Sequence, residues 1–299
     1  MKSLLSPILL FVYNRPKHTR LVLDALAKNK EAKDSIIYIY CDGPKIDISQ
    51  DERKYIFQTR EIVKNEVRFK SVKIVYQEQN KGLANSIIDG VTEIMSIHDK
   101  VIVLEDDILP EIGFLSYMNS VLTMYENISE IGCVHAWNYT FNQNRIKQST
   151  FLLKGADCWG WGTWKRSWQL FEKDGEKLRN EILIRNLTDS FNRNETHGFL
   201  TMLNDQIEGK NNSWAIRWHA SLFLQNKYCL HPSIPIVKNI GLDGSGTHCN
   251  DEEILQITTK KIKLSRIKEI KESEEFYQSY HLGIKTNLTL WEKLNRFLQ

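Results

Sequence analysis

The sequence contains no C-x-x-C pair. Its five cysteines, Cys41, Cys133, Cys158, Cys229 and Cys249, are odd in number and widely spaced. That pattern argues against a disulfide framework and against a zinc site, and it fits a reducing, cytoplasmic compartment. A charge surplus is also lacking. The 40 basic and 37 acidic residues leave a net charge of +3, so nothing global argues for nucleic acid as a partner. No apolar run reaches the roughly 18 residues of a transmembrane span. Residues 1–16 hold only a short apolar stretch, interrupted by Pro7 and followed by Asn14-Arg15-Pro16 with no small-residue cleavage site. They read as a buried strand rather than a signal peptide. Internal repeats and low-complexity linkers are absent.

What the sequence does have is a rhythm. Residues 8–13, 36–41, 72–76 and 101–104 read as strands, the first of them a continuous apolar run as expected of a strand covered on both faces. Between them lie helical patterns: one from Pro16 through Leu26, one over residues 51–69, one over 83–97, and a last one over 114–125. This alternation predicts an α/β fold with a mostly parallel central sheet flanked by helices. Ligands of such sheets bind at the carboxyl ends of the strands, and the unusual polar residues fall there.

The most conspicuous group is Glu105-Asp106-Asp107, directly after an apolar strand. Three adjacent carboxylates repel one another unless a cation compensates, and Mg2+ or Mn2+ shared with a diphosphate would do so. A plain acidic helix start, with Asp107 as N-cap, is the competing explanation. Residues 155–168 carry four tryptophans among glycines, residues 213–219 two more around Arg217, and residues 239–249 are rich in Gly around Asp243. Trp164 and Trp168 are expected in the core.

The run from Val101 to Glu126, with its Leu-Glu-Asp-Asp centre, resembles the corresponding segment of N-acetylglucosaminyltransferase I and, more broadly, the GT-A glycosyltransferases, including bacterial members akin to family 2. The resemblance implies a GT-A fold, a metal-dependent sugar transfer from a nucleotide-diphosphate sugar, with UDP favoured, and Mn2+ or Mg2+ as cofactor. It implies Asp107 as metal ligand, with Glu105 and Asp106 facing the donor. The segment Tyr13-Asn14-Arg15, the Asp42-Gly43 turn, and Lys81, Gly82 and Asn85 are similar to the nucleotide-binding loops of those enzymes. Asp157, Trp159 and Trp161 resemble a W-G-W element, and with Trp214 and Arg217 are expected to meet donor sugar or acceptor. His248, in a late Gly-rich element, is expected at the metal. For the catalytic base the first choice is Asp205, then Glu208, then Asp157; Ala215 and Ile216 follow Trp214 where an acid would be expected.

The resemblance covers roughly residues 7–250. It divides the chain into a nucleotide-sugar half over residues 1–130, an acceptor-side half over 131–250, and a helical extension over 251–299. It also points to bacterial surface polysaccharide synthesis on a glycan or lipid-linked acceptor, with inversion at the anomeric carbon. Lys260, Lys261, Lys263, Arg266, Lys268 and Lys271, followed by the apolar stripe Leu288, Leu290, Trp291, Leu294, Phe297 and Leu298, carry the ingredients of peripheral contact with an inner membrane face. A terminal helix packed on its own domain is the alternative. The rival functions are a sugar nucleotidyltransferase and a catalytically inactive binding protein of the same fold.

Overall fold

The computed structural model describes residues 5–138, 149–193, 197–241 and 264–277. Strands β1 (Ile8–Val12), β2 (Ile36–Cys41), β3 (Ser71–Tyr76) and β4 (Lys100–Glu105) alternate with helices α1 (Pro16–Ala27), α2 (Gln50–Lys64) and α3 (Leu83–Ile97). A short strand β5 (Ile108–Pro110) and helix α4 (Phe114–Met124) follow. The second half supplies β6 (Ile131–His135), β7 (Thr150–Lys154), β8 (Trp161–Trp164), helices α5 (Lys165–Trp168), α6 (Gly175–Ile184), α7 (Thr188–Phe191), α8 (Phe199–Ile207) and α9 (Trp214–Leu224), then β9 (Tyr228–Pro232) and β10 (Val237–Asn239).

The central sheet has eight strands in the order β3-β2-β1-β4-β8-β6-β9-β7. Strands β1 to β4 are parallel, β8 is antiparallel to both β4 and β6, and β6 and β9 are parallel again. This is the expected α/β architecture, a Rossmann-like, mostly parallel sheet flanked by helices. Both faces are covered where the strands are apolar on both sides, as in β1, β2 and β4; the edge strand β3 is only half-buried. Ile8, Leu10 and Val12 pack with Val22, Leu23 and Leu26 of α1 and Phe114 and Met118 of α4. Leu9 and Phe11 point the other way, into a cluster with Ile87, Ile88 and Val91 of α3. A third cluster joins α6, α8 and α9 through Ile182, Phe199, Leu203 and Ile216.

Local chemistry sets the ends of elements. Pro16 opens α1, as its fixed φ favours. Ser49 and Glu52 form a capping box on α2. That helix was expected to run to residue 69 but ends at Lys64. Beyond it the Glu66 carboxylate accepts from the Arg68 amide and guanidinium, turning the chain so that Phe69 enters the core. At the other end of α4, Arg166 donates to the carbonyls of Tyr125, Glu126, Ile128 and Ile131. A guanidinium at a helix C-terminus satisfies orphan carbonyls and complements the dipole.

The described part of the expected helical extension, residues 264–277, is mostly irregular chain with one helical turn. It lies along the edge strand β7: the Ser273 amide donates to Leu152 O at 3.0 Å, and Phe276 stacks on Phe151. An otherwise open sheet edge is thereby covered. Lys260, Lys261, Lys263 and the apolar stripe from Leu288 onward lie outside the described residues. No helix among the described residues is long and apolar enough to cross a membrane.

His219 shows how the tryptophan-rich half is tied together. It is 4% exposed, and its Nδ1 donates to Ala156 O at 2.8 Å. Burial holds its pKa down, to about 4. Because the folded value lies below the ordinary value of about 6.5, the neutral imidazole contributes fully above pH 6.5. That contribution fades as pH falls toward 4, by about 1.4 kcal/mol per pH unit. His219→Asn is therefore expected to lose about 2 kcal/mol less stability than wild type between pH 7 and pH 5. Urea denaturation at both pH values measures this; equal losses would show that His219 is not buried neutral.

Candidate active site at the carboxyl edge of the sheet

Register gathers the polar residues. Val12 pairs with Cys41 and Phe11 with Glu105, so Tyr13–Arg15, Asp42–Gly43 and Asp106–Asp107 leave the sheet side by side. Trp161, the first residue of β8, pairs with Val103 on one side and His135 on the other. Asp157, Cys158 and Trp159 therefore approach the same edge.

Two of the three acids meet one guanidinium. Arg15 Nη1 donates to Asp107 Oδ2 at 2.9 Å and lies 3.7 Å from Asp106 Oδ1. The Tyr13 amide donates to Asp106 Oδ2 at 3.4 Å. Burial, then the charge of Asp107, push the Asp106 pKa up to about 7. Burial first, then Asp107 and Asp106, raise Glu105 well above the ordinary carboxylate value. Arg15 opposes the rise in both. Burial and mutual repulsion thus disfavour three ionised carboxylates here unless a further cation compensates, and the donor atoms are carboxylate oxygens, the set a hard divalent ion such as Mn2+ or Mg2+ takes.

Strand β10 brings the end of the second half onto these acids. It pairs with β5, Asn239 opposite Ile108, and the Ile240 amide donates to Asp107 O at 2.8 Å. Gly241 lies so close that a Cβ there would stand 2.5 Å from Asp107 Oδ2. His248 lies outside the described residues.

Asp42, just past the carboxyl end of β2, is held by its own loop. Its Oδ1 accepts from the amides of Gly43 and Lys81, and its Oδ2 from the Gly82 amide and Asn80 Nδ2, all at 2.8–3.0 Å. Both oxygens are spent on organising the loop that starts α3. Gly82, at φ +75°, opens that helix, and Asn85 donates back to Lys81 O. Lys81 reaches Asp89 at 3.1 Å. Gly43 is required by close approach: a Cβ would stand 2.4 Å from the Gln79 carbonyl carbon. Gly43→Ala is expected to cost about 1–3 kcal/mol, as overpacking does. A guanidinium denaturation curve checks it, and an unchanged midpoint would contradict the packing.

The aromatic residues divide. Trp161 and Trp214 are 1% and 3% exposed. Their rings pack at 5.1 Å with a tilt of 30°, and Trp161 also meets Trp168 and Trp218. With no open face they are core, in place of the sugar contact expected of them. Trp164 and Trp168 are core as expected. Arg217 is spent on its own surroundings, donating to Ser213 O, Lys173 O and Asn212 Oδ1. Trp159 is half-buried and packs against Trp137 at 5.5 Å, so it is the aromatic of the W-G-W element left with an accessible surface.

Asp205 and Glu208 sit on the turn that ends α8. Their carboxylates lie 3.4 and 2.6 Å from Lys210 Nζ, on a helix that packs with α6 and α9 rather than with β4. Asp157 is nearer the acidic cluster, since the Cys158 thiol is pushed up first by burial and then by Asp157, Glu105 and Asp107 among its neighbours. Asp157 Oδ1 accepts from the Cys158 amide at 2.9 Å and lies 3.5 Å from His135 Nε2.

Sequence reasoning missed His135 and His231. His135 ends β6 and His231 is the last residue but one of β9, a signal available in Cys133-Val134-His135 and Cys229-Leu230-His231 once the strands are paired.

No protein-family model matches the chain, and no curated protein matches it. Solved structures with a similar backbone include a cytidylyltransferase from Leptospira borgpetersenii serovar Hardjo-bovis, at 14% identity and TM-score 0.34 over 59% of this chain and 64% of that one. S. aureus TarS matches at 14% identity and TM-score 0.31 over 50% and 24%. UDP-glucose pyrophosphorylase complexed with UDP-glucose matches at 13% identity and TM-score 0.39 over 79% and 94%. The match spans less than two thirds of the cytidylyltransferase and about a quarter of TarS. At these values the likeness concerns the fold alone.

Proposed function

We propose that the chain is a metal-dependent glycosyltransferase of the GT-A type. It moves a hexosyl or N-acetylhexosaminyl group from a nucleotide-diphosphate sugar, a UDP-sugar first, to a hydroxyl of a glycan or lipid-linked glycan. The observation that carries this reading is the acidic cluster, in which Asp106 and Asp107 share the single guanidinium of Arg15 at the carboxyl ends of β1 and β4.

Asp107 would hold Mn2+ or Mg2+, with His248 as a second ligand. When bound, the cation supplies positive charge to the departing diphosphate. Arg15, beside Asp107, would stabilise negative charge on the phosphates. Asp42 presents Lys81, Gly82 and Asn85 to the nucleotide by fixing their loop. Glu105 and Asp106 face the ribose and sugar, and Trp159 offers an aromatic face to a sugar ring. An acid from the second half, Asp205 before Glu208, takes the acceptor proton; attack from the face opposite the nucleotide inverts the anomeric carbon. The setting that suits such a reaction is bacterial surface polysaccharide synthesis at the inner membrane face.

A donor hydrolysis screen tests this. With Mn2+, at least one UDP- or GDP-sugar should slowly release its nucleoside diphosphate, and EDTA should stop the release. Pyrophosphate formation from a nucleoside triphosphate and a sugar 1-phosphate would instead make the chain a nucleotidyltransferase. Donor binding without hydrolysis would make it a binding protein.

A further inference from the structure

Behind the Trp159 loop lies a second group of ligand-type side chains. His135 at the end of β6 and His231 in β9 are 0% and 1% exposed. Their Nδ1 atoms stand 3.2 Å apart, and their rings meet edge to face. Asp157 completes the group from the loop before β8, its Oδ1 3.5 Å from His135 Nε2. One ligand atom from each of the three falls within 4.8 Å of the others.

One nitrogen of the group, on His231, lacks a partner. His135 Nε2 accepts the Trp159 amide at 3.0 Å, and His231 Nδ1 lies 3.1 Å from Trp137 O. His231 Nε2 is buried with no hydrogen-bond partner. A buried polar atom left unpaired costs about 1–3 kcal/mol, and such an atom calls for an explanation.

We infer that His135, His231 and Asp157 form a cation site for a zinc-class divalent ion, separate from the oxygen-lined cluster at Asp107. Two imidazoles and one carboxylate are the donor set that nitrogen-preferring ions take, whereas Mg2+ favours oxygen alone. Ligand atoms around a tetrahedral zinc stand about 3.4 Å apart. His135 and Asp157 are already at that separation, and the group as a whole needs to contract by about 1.4 Å at most. Burial keeps both imidazoles neutral, with pKa values held down to about 3, which is the protonation state a metal ligand requires. Three protein ligands leave the fourth position to water. Metal at His135 Nε2 replaces the Trp159 amide there, so the ion would tie β6 and β9 to the loop that carries Trp159. The cysteine spacing gives no hint of such a site, because none of its ligands is a thiol.

The test is metal retention. The full chain is loaded with zinc, passed over a desalting column, and its zinc measured; affinity is then read by competition with a chromophoric chelator. Wild type should keep one zinc per chain more than Asp157→Asn does, and Asp157→Asn should bind it more weakly by well over about 10-fold, since even outer-shell partners of a metal are worth 10–100-fold. His231→Asn should behave like Asp157→Asn. Where it does not fold, Asp157→Asn carries the test, because its residue sits on a loop. Asp107→Asn should keep the zinc. No zinc retained by wild type, or unchanged zinc affinity in Asp157→Asn, overturns the inference. So does loss in Asp107→Asn alone, which would place the ion at the acidic cluster.

Discussion

Asp107→Asn is expected to lower divalent-cation affinity, and with it cation-dependent donor binding, by about 10²–10³-fold. A metal ion contributes several kcal/mol of charge stabilisation, and each 1.4 kcal/mol is tenfold. The substitution is nearly isosteric, so the fold should survive: the backbone bond from the Ile240 amide to residue 107 does not involve the side chain. Two local consequences follow. Arg15 loses its 2.9 Å partner, and Asp106 loses the neighbouring charge that helps to raise its pKa. Manganese titration of wild type and variant measures the effect. Equal affinities, or full activity of wild type in EDTA, would contradict it.

Asp205→Asn is expected to lower turnover by roughly 10²–10⁴-fold, the worth of a general base, while donor binding barely changes. The companion variant Glu208→Gln shares the same lysine and so controls for the loss of that ion pair. If Glu208→Gln alone shows the loss, the role passes to Glu208. If neither variant loses turnover, the base lies elsewhere, and Asp157, beside Cys158 and the acidic cluster, is the next to replace. The measurement is a single-turnover assay with saturating donor, which separates chemistry from binding.

The first half of the chain was the more legible. Strands β1, β2 and β4 are apolar on both faces and the helices are amphipathic, so local pattern and tertiary packing agree. The helix beginning at Leu83 has the expected ends, and the strand before Glu105 ends one residue later than expected. Helix α2 stops short of residue 69 because the pairing of Glu66 with Arg68 turns the chain out of the helix. The tryptophans were harder. Trp159 and Trp161 are two residues apart and look alike in sequence, yet only a paired strand decides that Trp161 faces the α9 cluster while Trp159 stays half-buried. Asp42 illustrates a different limit. Its position at a strand end is readable, but four donors arriving from residues 43 and 80–82 are a property of the folded loop. His135 and His231 are 96 residues apart in sequence; their contact appears only through the pairing of β6 with β9.

The most direct measurement is a calorimetric titration of the full chain with UDP-sugars, with and without manganese. The account predicts saturable binding of at least one UDP-sugar when manganese is present, and loss of that binding in EDTA. Binding of equal strength in EDTA, or no binding of any UDP- or GDP-sugar with manganese present, would contradict it.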